Sequence, residues 1–230
     1  MNIRTELQKL ADPKRAKGEK KYLKSPMKHY WVTVPQLIKI SKSWVKENSE
    51  LPFDQVIKQM SQLWEGEYHE ERAVAICILE ELRDNLTLKD LPLITHMVET
   101  STGWAQLDGI AAWLVGTLCE KYPDKMTTVL KEWIKDDNFW VRRAAILAQL
   151  IPLREGRGNL DLFEQLTVPL MGEKEFFIRK AIGWVLRDTS KRRPQLVFDF
   201  VQKYGSQMSG LTYKEATRRL PESMQQELKK

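Results

Sequence analysis

Arg142-Arg143-Ala144-Ala145-Ile146-Leu147 occurs twice more in altered form, as Glu71-Arg72-Ala73-Val74-Ala75-Ile76 and as Arg179-Lys180-Ala181-Ile182-Gly183-Trp184. Aligned on Ala73, Ala144 and Ala181, the last two lie about 37 residues apart and the first two about twice as far, a period of roughly 36 residues. A fourth repeat is then expected one period before Ala144, centred on Asp108. Helical pairs at this period indicate an all-α fold, an α-solenoid of HEAT-like repeats in which each pair buries its apolar face only against its neighbours. The second helices are expected to line a concave basic surface.

Apolar residues recur at helical spacing outward from these segments, as in Leu37-Ile38-Ile40-Trp44, Val56-Met60-Leu63-Trp64 and Val129-Leu130-Trp133-Ile134, and strand alternation is nearly absent. Turn signals such as Ser25-Pro26, Tyr122-Pro123-Asp124, Gly156-Arg157-Gly158 and Arg193-Pro194 fall between them. Helices are expected near 2–11, 14–24, 35–48, 53–65, 69–84, 88–100, 104–121, 124–135, 138–152, 160–171, 175–191, 194–204 and 212–219. One domain is expected over 1–230, with basic N-terminal helices to about residue 30, repeats to 219 and a frayed tail.

The chain has 230 residues, 42% of them hydrophobic, enough for one continuous core. Charged residues make up 30%, as expected of a water-soluble protein. The longest apolar run, Ile110 to Cys119, is interrupted by Gly116 and Thr117 and falls well short of the ~20 residues of a membrane helix. The first residues lack the apolar core of a secretion signal. Cys77 and Cys119 sit in apolar helical settings and read as reduced core thiols of a cytoplasmic protein.

The net charge of +6 suits a polyanionic partner. Lys14, Arg15, Lys17, Lys20, Lys21, Lys24 and Lys28 crowd one stretch against the single acid Glu19. In the repeat register, the residue before the aligned position is Arg72, Leu107, Arg143 or Lys180, and the residue ten after it is Arg83, Leu118, Arg154 or Lys191. Three repeats in four therefore carry a cation at both ends of one helical stripe. The exception carries Trp104, then Asp108 where the others have alanine; the last repeat adds Trp184 and Arg187. Cations spaced by repeat suit a phosphate backbone; the other reading is that they lie across the solenoid flank in water.

Asp137-Asn138-Phe139-Trp140-Val141-Arg142-Arg143-Ala144-Ala145-Ile146-Leu147 and Lys174-Glu175-Phe176-Phe177-Ile178-Arg179-Lys180-Ala181-Ile182-Gly183-Trp184-Val185-Leu186-Arg187 resemble the AlkD family, HEAT-like-repeat DNA glycosylases that remove alkylated bases. The likeness runs from about Lys21 to Arg219. It implies a repair enzyme for N3- and N7-alkylated purines in double-stranded DNA, monofunctional and without lyase activity, acting without swinging the base into a pocket. The family's catalytic Trp, Asp and second Trp match Trp104, Asp108 and Trp184. Its phosphate-contacting arginine ahead of a double alanine matches Arg143, its arginine after the second Trp matches Arg187, and its tyrosine between lysines matches Tyr22, beside Lys21 and Lys24. Arg142, Phe177 and Lys180, within the same segments, complete the expected DNA-binding set. The chain departs from the family pattern at Gly103 and Ala105, around the first Trp, and at Trp31, where a glycine is common.

The residues suit that chemistry. An alkylated cationic purine departs neutral, so no general acid is required. The sugar becomes an oxocarbenium-like cation, which a carboxylate stabilises while orienting water. Indole faces attract such a cation by roughly 0.5–2 kcal/mol each. Trp104 and Asp108, one turn apart, point the same way. His29, His69 and His96 lack metal-ligand spacing and there is no Cys-x-x-Cys pair, so no metal or other cofactor is implied. Gly156-Arg157-Gly158 reads as a linker, and His69 and Glu70 as groups that cap or solvate a helix start. A non-catalytic HEAT-like binder of branched or damaged DNA and a protein-interaction scaffold remain as other readings. A monomer is expected.

Overall fold

The computed structural model describes residues 1–12, 18 and 20–228. Lys14, Arg15 and Lys17 of the basic cluster, and most of the helix expected over 14–24, lie outside the described residues; 20–23 are helical. The described residues are helical and loop segments, with one isolated bridge between Lys28 and Tyr68. No helix is long and apolar enough to cross a membrane. The chain divides into two compact units, Met1–Ile110 and Ala111–Lys230.

The first unit holds α1 (Ile3–Lys9), α2 (Val34–Glu47), α3 (Phe53–Trp64), α4 (His69–Glu81), α5 (Leu91–Glu99) and α6 (Trp104–Gly109). α4 is its hub and packs on α1, α2, α3 and α6. Its Val74, Ala75, Ile78 and Leu79 are fully buried. The apolar stripe expected on α3 is buried at Val56, Met60, Leu63 and Trp64. A π-helical stretch, Ile110–Val115, follows α6, interrupting the helix expected over 104–121.

The second unit holds α7 (Gly116–Lys121), α8 (Pro123–Trp133), α9 (Phe139–Leu147), α10 (Leu150–Glu155), α11 (Leu160–Thr167), α12 (Phe176–Ser190), α13 (Pro194–Tyr204), α14 (Gly210–Thr217) and α15 (Glu222–Glu227). α12 is its hub, against α9, α10, α13 and α14. The helix expected over 138–152 is two: Pro152 has no N–H to give and its ring would meet the carbonyl four residues back, so the chain turns at Ala148 and Gln149 before α10. Part of the tail expected to fray forms α15. Gly183 lets α14 approach α12: a β-carbon there would lie 2.5 Å from Glu215 Cβ and 3.0 Å from the Thr212 carbonyl oxygen.

The cation before the aligned alanine does one job in each repeat that has it. Arg72 donates from Nε to the Trp64 carbonyl at 2.9 Å and from Nη1 to the Thr100 carbonyl at 2.8 Å, lying over the Trp64 ring. Arg143, 3% exposed, donates to the Phe177 carbonyl at 2.6 Å. Lys180 pairs with Glu215 at 2.6 Å. Each reaches forward 28 to 35 residues, about one repeat. This row ties each helical pair to the next, and Leu107 replaces the tie with a fully buried apolar side chain. The row thus makes contacts within the protein, where spacing alone suggested phosphate ligands or a solvated flank.

The segment before α2 hangs on the start of α4. Glu70, 2% exposed, accepts from the N–H groups of Tyr30 and Trp31 at 2.9 and 2.6 Å. Glu71, 3% exposed, accepts from Tyr30 Oη and Arg4 Nε. Glu70 thus anchors another segment, where the sequence suggested a local cap. Trp31 has φ 76°, the left-handed region that glycine occupies freely; its ring is 3% exposed and stacks on His29 at 4.9 Å. His29 stacks in turn on His69 at 4.9 Å. Burial, with the nearby charges of His29 and Arg72, pushes His69 down to about 4.

Two outcomes follow. Trp31→Gly relieves backbone strain of about 1–3 kcal/mol but empties an indole site worth about 3–5 kcal/mol; the indole wins, and urea unfolding should show net destabilisation of about 1–3 kcal/mol. Between pH 6.5 and about 4 the unfolded chain binds a proton at His69 that the folded chain refuses, so stability falls on acidification across that window and the His69 contribution is flat below it. Urea midpoints from pH 7.5 to 4.5 should fall less steeply in His69→Gln, by about one proton in the slope.

Candidate active site and nucleic-acid interface

In the first unit, α6 begins at Trp104 after Gly103 and carries Asp108 one turn later. Both are partly exposed on the same helical side. The Trp104 ring meets Tyr22 edge to face, centroids 5.9 Å apart. Tyr22 is 70% exposed, and Lys21 and Lys24 beside it are exposed. Lys24 ends that helical stretch in left-handed backbone, φ 48°. The first unit therefore gathers an indole, a carboxylate, a phenol and two solvent-facing ammonium groups from residues 21–24 and 104–108.

Gln106 fixes this helix start, and sequence reasoning missed it. It is 1% exposed. Its Oε1 accepts from the Thr102 N–H at 3.0 Å, which orients the carboxamide. Its Nε2 then donates to Met27 Sδ at 3.1 Å and meets His69 Nδ1 at 3.2 Å. An amide nitrogen only donates, so Nδ1 accepts, the imidazole is neutral and its proton sits on Nε2; this agrees with the depressed pKa. A signal was present: a residue two after Trp104 points to the opposite side of the helix, into the protein.

In the second unit, α9 opens on Asn138, whose side chain caps the Trp140 N–H. Arg142 pairs with Glu173 at 2.9 Å and donates to the carbonyls of Asp136 and Asp137. Phe139, Trp140 and Phe177 form an aromatic cluster with centroids 4.4–6.0 Å apart, extended by Phe176, 54% exposed. Arg143 lies 5.7 Å over the Phe177 ring. On α12, Lys180 and Arg187 both bind Glu215, and Trp184 between them in sequence is partly exposed. Burial alone would raise the pKa of Glu215, but the Lys180 hydrogen bond and the charges of Arg187, Lys180 and Arg218 outweigh it and hold the carboxyl below its ordinary value. Glu215 is the second residue sequence reasoning missed; it marks Lys180 and Arg187 as partly neutralised. Trp104 and Asp108 belong to the first unit, Trp184 to the second. Among the described residues no group of His, Cys, Asp and Glu could hold a metal ion.

The sequence profile of the family described as DNA alkylation repair enzyme matches residues 3–220. Among solved structures, a predicted DNA alkylation repair enzyme from Enterococcus faecalis is 25% identical with a TM-score of 0.81, over 92% of this chain and 97% of that one. AlkD2 from Streptococcus mutans shares the fold at 18% identity and TM-score 0.61, over 95% of this chain and 99% of that one. Smu.31 from Streptococcus mutans UA159 does so at 18% and 0.59, over 80% and 98%. No curated protein matches. The residues of the α6 start therefore sit in a helical-repeat chain whose match to one profile spans nearly its full length, and the protein belongs to the DNA alkylation repair enzyme family.

Proposed function

We propose that the protein is a DNA glycosylase that hydrolyses the N-glycosidic bond of cationic N3- and N7-alkylpurines in duplex DNA, without extruding the base. The observation that carries this reading is the α6 start: Trp104 and Asp108 one turn apart on a partly exposed side, with Gln106 locked into the protein behind them.

The alkylated base is already charged and departs as a neutral purine. The C1′–N bond breaks, and its electrons go to the base. Positive charge develops on the deoxyribose, where the Asp108 carboxylate stabilises it and orients the water that adds to C1′, taking the proton that water loses and passing it to solvent. The indoles of Trp104 and Trp184 supply quadrupole attraction of roughly 0.5–2 kcal/mol each. Tyr22, edge-on to Trp104, steadies the first indole. Neutral His69 fits this scheme as a structural acceptor for Gln106 rather than a proton donor to the reaction.

Phosphate contact falls first to the exposed Lys21 and Lys24. Lys180 and Arg187 contribute less per residue, since each cation already faces Glu215. Arg143 acts mainly by holding α9 to α12 through the Phe177 carbonyl, and Arg142 and Phe177 support the same junction.

On duplex DNA containing N7-methylguanine, Asp108→Asn should release free base at least about 100-fold more slowly while binding DNA nearly as well; equal turnover removes Asp108 from the reaction, and no base release by the wild type favours the non-catalytic binder. Replacing Lys21 and Lys24 together with alanine should flatten the salt dependence of DNA binding by about two units of slope. An unchanged slope assigns phosphate contact elsewhere.

A further inference from the structure

The Gly156-Arg157-Gly158 stretch, a linker by sequence, is the rim of a cavity of about 430 Å³ within the second unit. The rim is fixed. Gly156 ends α10 at φ 83°, and the N–H groups of Arg157 and Gly158 both donate to the Pro152 carbonyl, at 2.9 and 2.8 Å. A β-carbon at Gly158 would lie 2.6 Å from the Leu153 nitrogen, so only glycine fits there. Arg157 reaches Glu120 across 37 residues of sequence at 2.6 Å and also pairs with Glu155.

The walls come from Pro123, Met126, Pro152 and Leu162, with Cys119 among them. Burial and the charge of Glu120 push the Cys119 thiol up to about 12, so it stays protonated and unreactive. Gln149 also lines the cavity and is 2% exposed. Among the lining residues Arg157 is the one cation, and it is committed to two carboxylates. The cavity therefore offers largely apolar walls, the Gln149 carboxamide as a donor–acceptor edge, the Thr127 and Asn159 side chains, and a charge pair already closed between Arg157 and Glu120. Its volume falls in the ~300–1,000 Å³ range of small-molecule sites.

We propose that this cavity binds an uncharged heterocycle of about nucleoside size, whose adjacent donor and acceptor pair with the Gln149 carboxamide. None of Trp104, Asp108 and Trp184 lines the cavity, and the inference does not depend on glycosylase activity.

Backbone amide spectra of the full chain, titrated with adenosine, test it. The expected result is saturable shifts at Met126, Gln149 and Gly158 with a Kd below about 1 mM. AMP, which adds a dianion, should bind at least about tenfold more weakly, and Gln149→Leu should weaken adenosine binding by about tenfold. Absence of saturation, shifts confined to other regions, equal affinity for AMP, or unchanged affinity in a folded Gln149→Leu variant would each overturn the proposal. The AMP comparison uses wild-type protein and holds even if the variant fails to fold.

Discussion

A cation one residue ahead of each aligned alanine, reaching forward to the next helical pair, is the interaction on which the repeat stack rests. A single pair leaves one face apolar and one set of helix-end carbonyls unmet. Arg72 meets the carbonyls of Trp64 and Thr100, and Arg143 that of Phe177. Guanidinium suits this work because its planar fork satisfies fixed acceptors while its stem packs on aromatic rings; Arg72 lies over Trp64 and Arg143 over Phe177. Lys180 makes the equivalent tie to a carboxylate. Arg72, Arg143 and Lys180 thus each serve the scaffold of this chain.

Much of the fold was legible because it rests on periodicity. The repeat spacing, the buried stripe of α3 and the helix at Asp108 all express one rule, that apolar residues at three-and-four spacing form a buried face. What could not be read depended on contacts between residues far apart. Glu70 looks like a local capping group until Tyr30 and Trp31 are brought to it. Nothing near Lys180 or Arg187 announces Glu215, which lies 28 residues beyond Arg187. The break before α10 was legible in Pro152, but the surrounding apolar run hid it.

The candidate site shows the same division. Trp104 and Asp108 were visible as a motif. The residue between them that seats the helix start was not, because its role is set by His69 and Met27. Gln106 couples two environments: its oxygen closes the turn before α6, and its nitrogen engages an imidazole held neutral by burial. An indole and a carboxylate can face solvent with a defined bearing only if something behind them is immovable, and a doubly engaged buried carboxamide provides it.

Glu70 also bears on the order in which the chain acquires structure during synthesis. Tyr22 and its neighbouring lysines leave the ribosome well before the carboxylate that fixes the adjacent backbone, which lies 40 residues beyond Tyr30. Until α4 emerges, the N–H groups of Tyr30 and Trp31 lack the carboxylate that accepts from them in the folded chain. The left-handed backbone at Trp31 is therefore a late acquisition, set only when the start of α4 is available to hold it.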